Sequence, residues 1–163
     1  MNFLLGLLGL IGAVVLGVAM SAGYKRRLNF LSDMGAFLQV MQNNCSFMQN
    51  SVKQVLVDQK GSFGEDFGKF LGELETNLDK RDEFLAKWQA EQKNISKDEA
   101  EFVANFFLSV GKLDSFAQID AIKNSQSVFE EKLQQAKKLV STKGMLSVKL
   151  SIIVGIGVFI ICV

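Results

Sequence analysis

FLLGLLGLIGAVVLGVAMSAG at residues 3–23 and MLSVKLSIIVGIGVFIICV at residues 145–163 are two long apolar segments, and they determine the architecture of this chain. At 1.5 Å of rise per helical residue, each segment would be roughly 28 to 32 Å long, close to the roughly 30 Å of a bilayer's hydrocarbon core. The sequence therefore predicts two transmembrane helices, neither with length to spare, that bracket a charged segment at residues 24–143.

Basic residues flank both apolar segments on the side of the charged middle. They are Lys25, Arg26 and Arg27 after the first segment, and Lys137, Lys138, Lys143 and Lys149 before or at the start of the second. Because cytoplasmic flanks of membrane helices carry an excess of Lys and Arg, residues 24–143 are predicted to be cytoplasmic. Both termini are then expected on the other side of the membrane.

A cleaved signal peptide is an alternative interpretation of the first segment. Ala19-Met20-Ser21 before Ala22 is a small-residue cleavage pattern. A signal peptide carries its basic residues before the apolar run, whereas here they follow it, and a secreted product would keep an anchor at residues 152–163. The two-anchor interpretation is favoured, and a mature N-terminus at Ala22 would decide for the alternative.

Composition narrows the class of function. The chain has 163 residues with a formal net charge of +1, which gives no overall basic field, so nucleic-acid binding is not predicted. It contains no histidine, which removes a histidine-based triad, base or metal site. We predict a non-enzymatic protein with no cofactor, metal or small-molecule substrate; an enzyme using carboxylate chemistry is the alternative from a different class, without a convergent pair of carboxylates to recommend it.

The two cysteines, Cys45 and Cys162, are expected on opposite sides of the membrane. Cys45 lies on the apolar seam of a predicted helix, and Cys162 lies at the far end of the second apolar segment. Because a bilayer would separate them, neither a disulfide nor a metal site is predicted, and Cys45 is interpreted as a small buried residue.

Apolar residues recur at steps of three and four through residues 24–143, which predicts amphipathic helices and an all-α fold. The first helix is predicted to run from the apolar segment to about Gln59. The last helix begins after Asp114 as its N-cap and continues, with some break near Gly144, into the second apolar segment. The first and last helices are expected to pair antiparallel, so that the fold class is a helical-bundle domain between two terminal transmembrane helices.

Three shorter helices are predicted between the two long ones. The first presents apolar residues from Phe63 to Leu78 on one face, and the second carries those at residues 84–88. The third begins at residues 96–99, Ser-Lys-Asp-Glu, which form a capping box. The carboxylates of these segments, Glu99 and Glu101 among them, are interpreted as solvent-exposed faces. Residues 64–69 are similar to a phosphate-binding loop, but the glycine spacing is one residue short and Phe70 replaces the Ser or Thr.

Small residues lie four apart in both apolar segments, where they would let membrane helices approach closely. They are Gly9, Ala13, Gly17 and Ser21 in the first segment, and Ser147, Ser151 and Gly155 in the second. Two interpretations stay open: the two helices pack on each other, which is favoured, or one stripe faces another membrane subunit.

The turn between the last two predicted helices carries the candidate partner-binding residues. Gly111 is expected to end one helix and Asp114 to cap the next, but the turn does not explain Lys112 and Gln118 as readily. Residues 106–114, FFLSVGKLD, with Gln118, a charged amphipathic helix and a closing apolar helix, resemble stage III sporulation protein AB. The resemblance covers the whole layout, although Val110 stands where the family has Leu.

The resemblance implies a component of the channel or secretion-like complex that links mother cell and forespore. Its family is similar to the cytoplasmic helical domain of the platform protein of type II secretion and type IV pilus systems. By that analogy the chain would lie in the mother-cell or outer forespore membrane and dock a secretion-type ATPase like stage III sporulation protein AA, beside other stage III sporulation membrane proteins. A platform subunit of a pilus or secretion machine outside sporulation is the alternative.

Overall fold

The computed structural model of the protein describes residues 2–47, 52–59, 61–109 and 115–162. All regular structure within these ranges is helical, which confirms the predicted all-α class. The α-helices are α1 (Asn2–Phe47), α2 (Val52–Gln59), α3 (Glu65–Thr76), α4 (Arg81–Glu91), α5 (Lys97–Ser109), α6 (Ser115–Leu139) and α7 (Met145–Cys162). A 3-10 turn at Leu78–Lys80 precedes α4, and a π-helical segment at Val140–Gly144 joins α6 to α7.

The chain divides into two compact units. The first, which we call the paired-helix unit, consists of Met1–Leu28 and Gln135–Val163. The second, the bundle unit, is Asn29–Gln134. The two long helical stretches of the chain therefore contribute to both units, and the shorter helices belong to the bundle unit.

Aromatic side chains form the centre of the bundle unit. The ring of Phe67 meets those of Phe30 and Phe37 edge to face, with centroids 5.3 and 5.8 Å apart. Phe70 lies 4.5 Å from Trp88 and 5.3 Å from Phe107, which joins α3 to α4 and α5. Such pairs add about 0.5–1.5 kcal/mol each to the stabilisation from burial alone, so this cluster holds α1, α3, α4 and α5 together.

The predicted short helices are confirmed, and the start of α5 has the expected capping box. The Ser96 backbone N–H donates to Glu99 Oε2 at 2.8 Å, and the Glu99 N–H donates to Ser96 Oγ at 3.3 Å. The interpretation of Glu99 as a solvent-exposed carboxylate was wrong, because its residue is only 2% exposed, whereas Glu101 is exposed. The cap itself draws the carboxylate back over the backbone and out of water.

The predicted break near Gly144 is a π-helical segment, and its cause is an extra residue in a repeat of seven. One row of inward-facing positions in α6 has a spacing of seven, and one row of the residues that meet α1 from Gly144 onward has the same spacing. These positions are Ile122, Phe129 and Ala136, then Gly144, Ser151 and Val158. The interval from Ala136 to Gly144 is eight, and a π turn accommodates the additional residue without ending the helix.

Candidate membrane and partner-binding surfaces

The turn favoured for partner binding borders the described residues. Gly111, Lys112 and Asp114 lie outside the described residues, as does the side chain of Gln118, whose backbone belongs to α6. The side chain of Cys45 also lies outside them. The role of the turn in binding therefore stays a prediction.

The helix that precedes this turn is held at its last turn by a side chain from α4. Arg81 Nη2 donates to the Leu108 carbonyl at 3.5 Å, and Ser109 Oγ donates to the Phe106 carbonyl at 2.9 Å. Both bonds supply partners to carbonyls that a helix end leaves without intrahelical donors. These two hydrogen bonds hold the C-terminal end of α5 in place.

Small residues lie where α1 and α7 approach each other in the paired-helix unit. A methyl group placed on Gly17 would lie 3.1 Å from the Ser147 carbonyl oxygen and would overlap Ser151 Oγ. One placed on Gly155 would lie 3.3 Å from Leu10 Cα and 3.4 Å from Ala13 Cβ. A side chain at Gly17 would therefore force the helices apart, whereas one at Gly155 would need its neighbours to yield by only a few tenths of an ångström. Such close approach is the packing that small residues provide between membrane helices.

Two further contacts extend this interface in both directions. A methyl group on Gly9 would lie 2.9 Å from Val158 Cγ1, and one on Gly144 would lie 3.4 Å from Ser21 Oγ. The order of these contacts runs up one helix and down the other, so the helices are antiparallel. The structure therefore brings both predicted stripes of small residues into one interface within the chain.

The serine hydroxyls of α7 donate hydrogen bonds to backbone carbonyls four residues earlier in the chain. Ser147 Oγ donates to the Lys143 carbonyl and Ser151 Oγ to the Ser147 carbonyl, both at 2.8 Å. Polar groups without partners are costly in hydrocarbon, and such back-bonding removes that cost.

All charged side chains of the paired-helix unit are positive. Its sequence contains no Asp or Glu. Six of its basic residues have exposed side chains, and we call them the basic belt: Lys25, Arg26, Lys137, Lys138, Lys143 and Lys149. The belt thus carries six positive charges on two neighbouring helices.

The bundle unit has a groove of about 680 Å³ beside α4 that sequence analysis missed. Phe84 and Trp88 line it, with Lys80, Lys87 and Glu91 among the charged residues at its edge. The indole of Trp88 stacks on Phe30 at 6.0 Å, so the core fixes its position. Half-buried aromatic rings with a charged edge are typical of protein-interaction surfaces. The groove could have been predicted from Phe84 and Trp88, two aromatic residues four apart in a helix rich in charged residues.

The segment similar to a phosphate-binding loop is the start of α3. Gly64 occupies the N-cap position, and its N–H donates to Asp33 Oδ2 at 3.0 Å. Burial raises the pKa of Asp33 above its ordinary value of 3.8, although the hydrogen bond from Gly64 acts in the opposite direction. A carboxylate of the protein itself thus occupies the position that a bound anion would take. Among the described residues, no three potential metal-ligand side chains come together.

The sequence matches the family model described as Stage III sporulation protein AB over residues 2–163. The match includes both apolar helices, the bundle unit and residues 110–114, which lie outside the described residues. No curated protein and no solved structure matches the chain. The chain therefore belongs to the stage III sporulation protein AB family.

Proposed function

We propose that the chain is a membrane-anchored structural adaptor of the stage III sporulation apparatus. The paired-helix unit anchors it in the mother-cell membrane, and the bundle unit lies in the cytoplasm and docks a secretion-type ATPase. Family membership supports involvement in stage III sporulation. The observation that carries the anchoring role is the surface of the paired-helix unit.

The paired-helix unit presents apolar side chains outward. Eighteen of the twenty large hydrophobic side chains that are exposed among the described residues belong to it, including Leu8 at 65% and Ile153 at 65%. In the most apolar 18-residue stretch of each of the two long helices, only 17% and 11% of the residues are buried. Most residues in a core helix of a soluble protein are buried. Because burying one such side chain is worth about 1.5–3 kcal/mol, transfer of this surface into lipid is strongly favourable.

The bundle unit has the charge and surface of a soluble docking domain. It contains 11 basic and all 17 acidic residues of the chain, a formal net charge of −6, because the other seven of the 18 basic residues lie in the paired-helix unit. The groove at Phe84 and Trp88 and the predicted turn at Lys112 are two surfaces on which a partner could be held. A structural role, rather than catalysis, fits a family described by its stage of sporulation.

Crosslinking of the full-length protein in its native cells tests this function. We expect a secretion-type ATPase and other stage III sporulation membrane proteins to co-purify from sporulating cells and not from vegetative cells. Recovery of pilus or secretion components during growth would favour a platform subunit outside sporulation. Recovery of no membrane protein in either state would contradict the adaptor role.

Lys112→Ala tests the predicted turn as the contact. We expect it to lower recovery of the ATPase by roughly fivefold, as loss of about 1 kcal/mol of binding would do, with thermal melting unchanged. Lys69→Ala, at an exposed position of α3, is the matched control. Equal recovery and equal melting for Lys112→Ala and the parent would exclude Lys112 from the contact.

A further inference from the structure

We infer that the basic belt of the paired-helix unit is a binding surface for the anionic headgroups of membrane lipids. The inference rests on the proposed membrane anchoring and goes beyond it, because crossing a bilayer requires no particular headgroup charge. Three features of the described residues support it: the sign of the charge, the depth of the belt along the helices and the apolar surface that adjoins it.

The sign of the charge is uniform within the unit. The six belt residues lie in the two stretches of the paired-helix unit, residues 1–28 and 135–163, which contain no Asp or Glu, whereas soluble surfaces intersperse both signs. A concentration of cations beside an apolar helix pair attracts anionic lipid, and the attraction falls off within a Debye length. The counter-charge that the unit itself lacks is the charge that an anionic leaflet supplies.

Most of the belt lies within a depth close to that of one headgroup layer. From Lys137 to Lys143 the helix advances six residues, or roughly 9 Å, and one headgroup layer is about 5–8 Å thick. Lys149 lies six residues further along, roughly 9 Å beyond this level. Between them the π-helical segment exposes two hydroxyl groups: Ser141 Oγ and Thr142 Oγ1 donate to the Lys138 carbonyl at 3.0 and 2.6 Å. Cations and hydroxyls therefore form one polar band at the level where lipid phosphates would lie.

An apolar surface begins directly beyond this band. Met145 is 58% exposed, Leu146 53% and Leu150 51%, and they adjoin Lys143 and Lys149 in the sequence. The apolar stem of a lysine at such a position can lie along the hydrocarbon, while its ammonium group reaches the phosphate layer. A soluble acidic partner would pair with the cations but not with the apolar side chains beside them. Anionic lipids satisfy both surfaces at once.

Lipid selectivity in a bilayer tests the inference. Full-length protein is reconstituted in phosphatidylcholine containing a trace of spin-labelled phosphatidylglycerol or spin-labelled phosphatidylcholine, and electron spin resonance gives the fraction of each label that is motionally restricted beside the protein. We expect a preference for phosphatidylglycerol of roughly threefold or more in low salt. The preference should fall toward one in about 1 M salt, where the Debye length is about 3 Å.

Two charge-matched variants locate the effect. The belt variant is Lys137→Gln with Lys138→Gln and Lys143→Gln, and the control is Lys69→Gln with Lys93→Gln and Lys97→Gln, three exposed positions of the bundle unit. The belt variant should lose most of the preference and the control should keep it. Equal preference in the two variants would overturn the inference.

Two further outcomes separate this inference from neighbouring ones. Restricted lipid without any headgroup preference in the parent protein would overturn the inference alone and leave the anchoring intact. The absence of restricted lipid of either kind would overturn the anchoring and the inference with it. Concentration-dependent association in pure phosphatidylcholine that the belt variant abolishes would assign the belt to the acidic bundle unit of a second copy, and would also overturn lipid binding.

Discussion

The two units of this protein are stabilised by opposite kinds of residue. In the bundle unit, α1 packs through large rings such as Phe30 and Phe37, which are at most 1% exposed. In the paired-helix unit, the same helix packs through Gly9 and Gly17, and its large apolar side chains face outward. In water the hydrophobic effect favours the burial of large side chains, whereas in lipid helices associate through close backbone packing. One helix of 46 residues therefore follows two packing rules along its length.

The largest expected effect comes from removing a ring from the bundle unit. Phe67 is fully buried, and its ring lies 5.4 Å from that of Phe63 as well as beside Phe30 and Phe37. Phe67→Ala should lower the free energy of unfolding of the bundle unit by about 3–5 kcal/mol, because it removes apolar burial and leaves a cavity. Urea unfolding followed by the emission of Trp88, the single tryptophan of the chain, measures this change.

Val128→Ala is the control for this prediction, because Val128 is 44% exposed and should cost under about 0.5 kcal/mol. If Phe67→Ala were no more destabilising than Val128→Ala, the aromatic cluster would not be the centre of stability of the bundle unit.

The next largest effect comes from adding a side chain to the paired-helix unit. Gly17→Leu should weaken helix pairing by about 1–3 kcal/mol, because its side chain would occupy the position of Ser151 and crowd the Ser147 carbonyl. Gly12→Leu is the matched control, since nothing lies within 4 Å of a methyl group at that position.

The rate of disulfide formation between Ala13→Cys and Gly155→Cys, with both native cysteines replaced by serine, reports the pairing. The two Cβ positions are about 3.4 Å apart, close to the separation in a disulfide. Gly17→Leu should slow the crosslink roughly 5- to 150-fold and leave Trp88 emission unchanged. Equal slowing by Gly12→Leu would show that side-chain bulk in general, and not this interface, determines the rate.

The helical segments were predictable from the sequence because apolar periodicity determines which face is buried, although the first helix was expected to run to about Gln59 and the structure gives α1 (Asn2–Phe47) and α2 (Val52–Gln59) as separate helices. The eight-residue interval from Ala136 to Gly144 also contained the signal for the π-helical segment, once repeats of seven are recognised on both sides. The contact of Trp88 with Phe30 was not predictable, because tertiary packing alone joins residues so distant in sequence. The burial of Glu99 was missed because exposure was inferred from its charge, although the capping box already implied a carboxylate held against the backbone.

A smaller effect is expected at the cap of α5. Ser96→Ala removes the hydroxyl that accepts from the Glu99 N–H, and loss of such a cap costs about 1 kcal/mol. Ser127→Ala is the control, because that hydroxyl is exposed and donates only to the Asn124 carbonyl of its own helix. Urea unfolding should separate the two variants by roughly 0.5–2 kcal/mol. Equal stability would show that Glu99 remains satisfied without Ser96.

The smallest effect is expected at Asp33, where the bundle unit buries part of a charge. Because burial raises its pKa above 3.8, the stability that this group contributes is complete below pH 3.8 and is lost as pH rises through its pKa in the folded protein. Asp33→Asn keeps an oxygen that accepts from the Gly64 N–H and does not ionise. The variant should therefore match the parent in acid and gain on it as the pH rises toward neutrality. Urea unfolding across that pH range measures the difference. If the variant instead lost stability relative to the parent toward neutral pH, the interaction of the Asp33 charge with the N-terminus of α3 would be worth more than the cost of burying that charge.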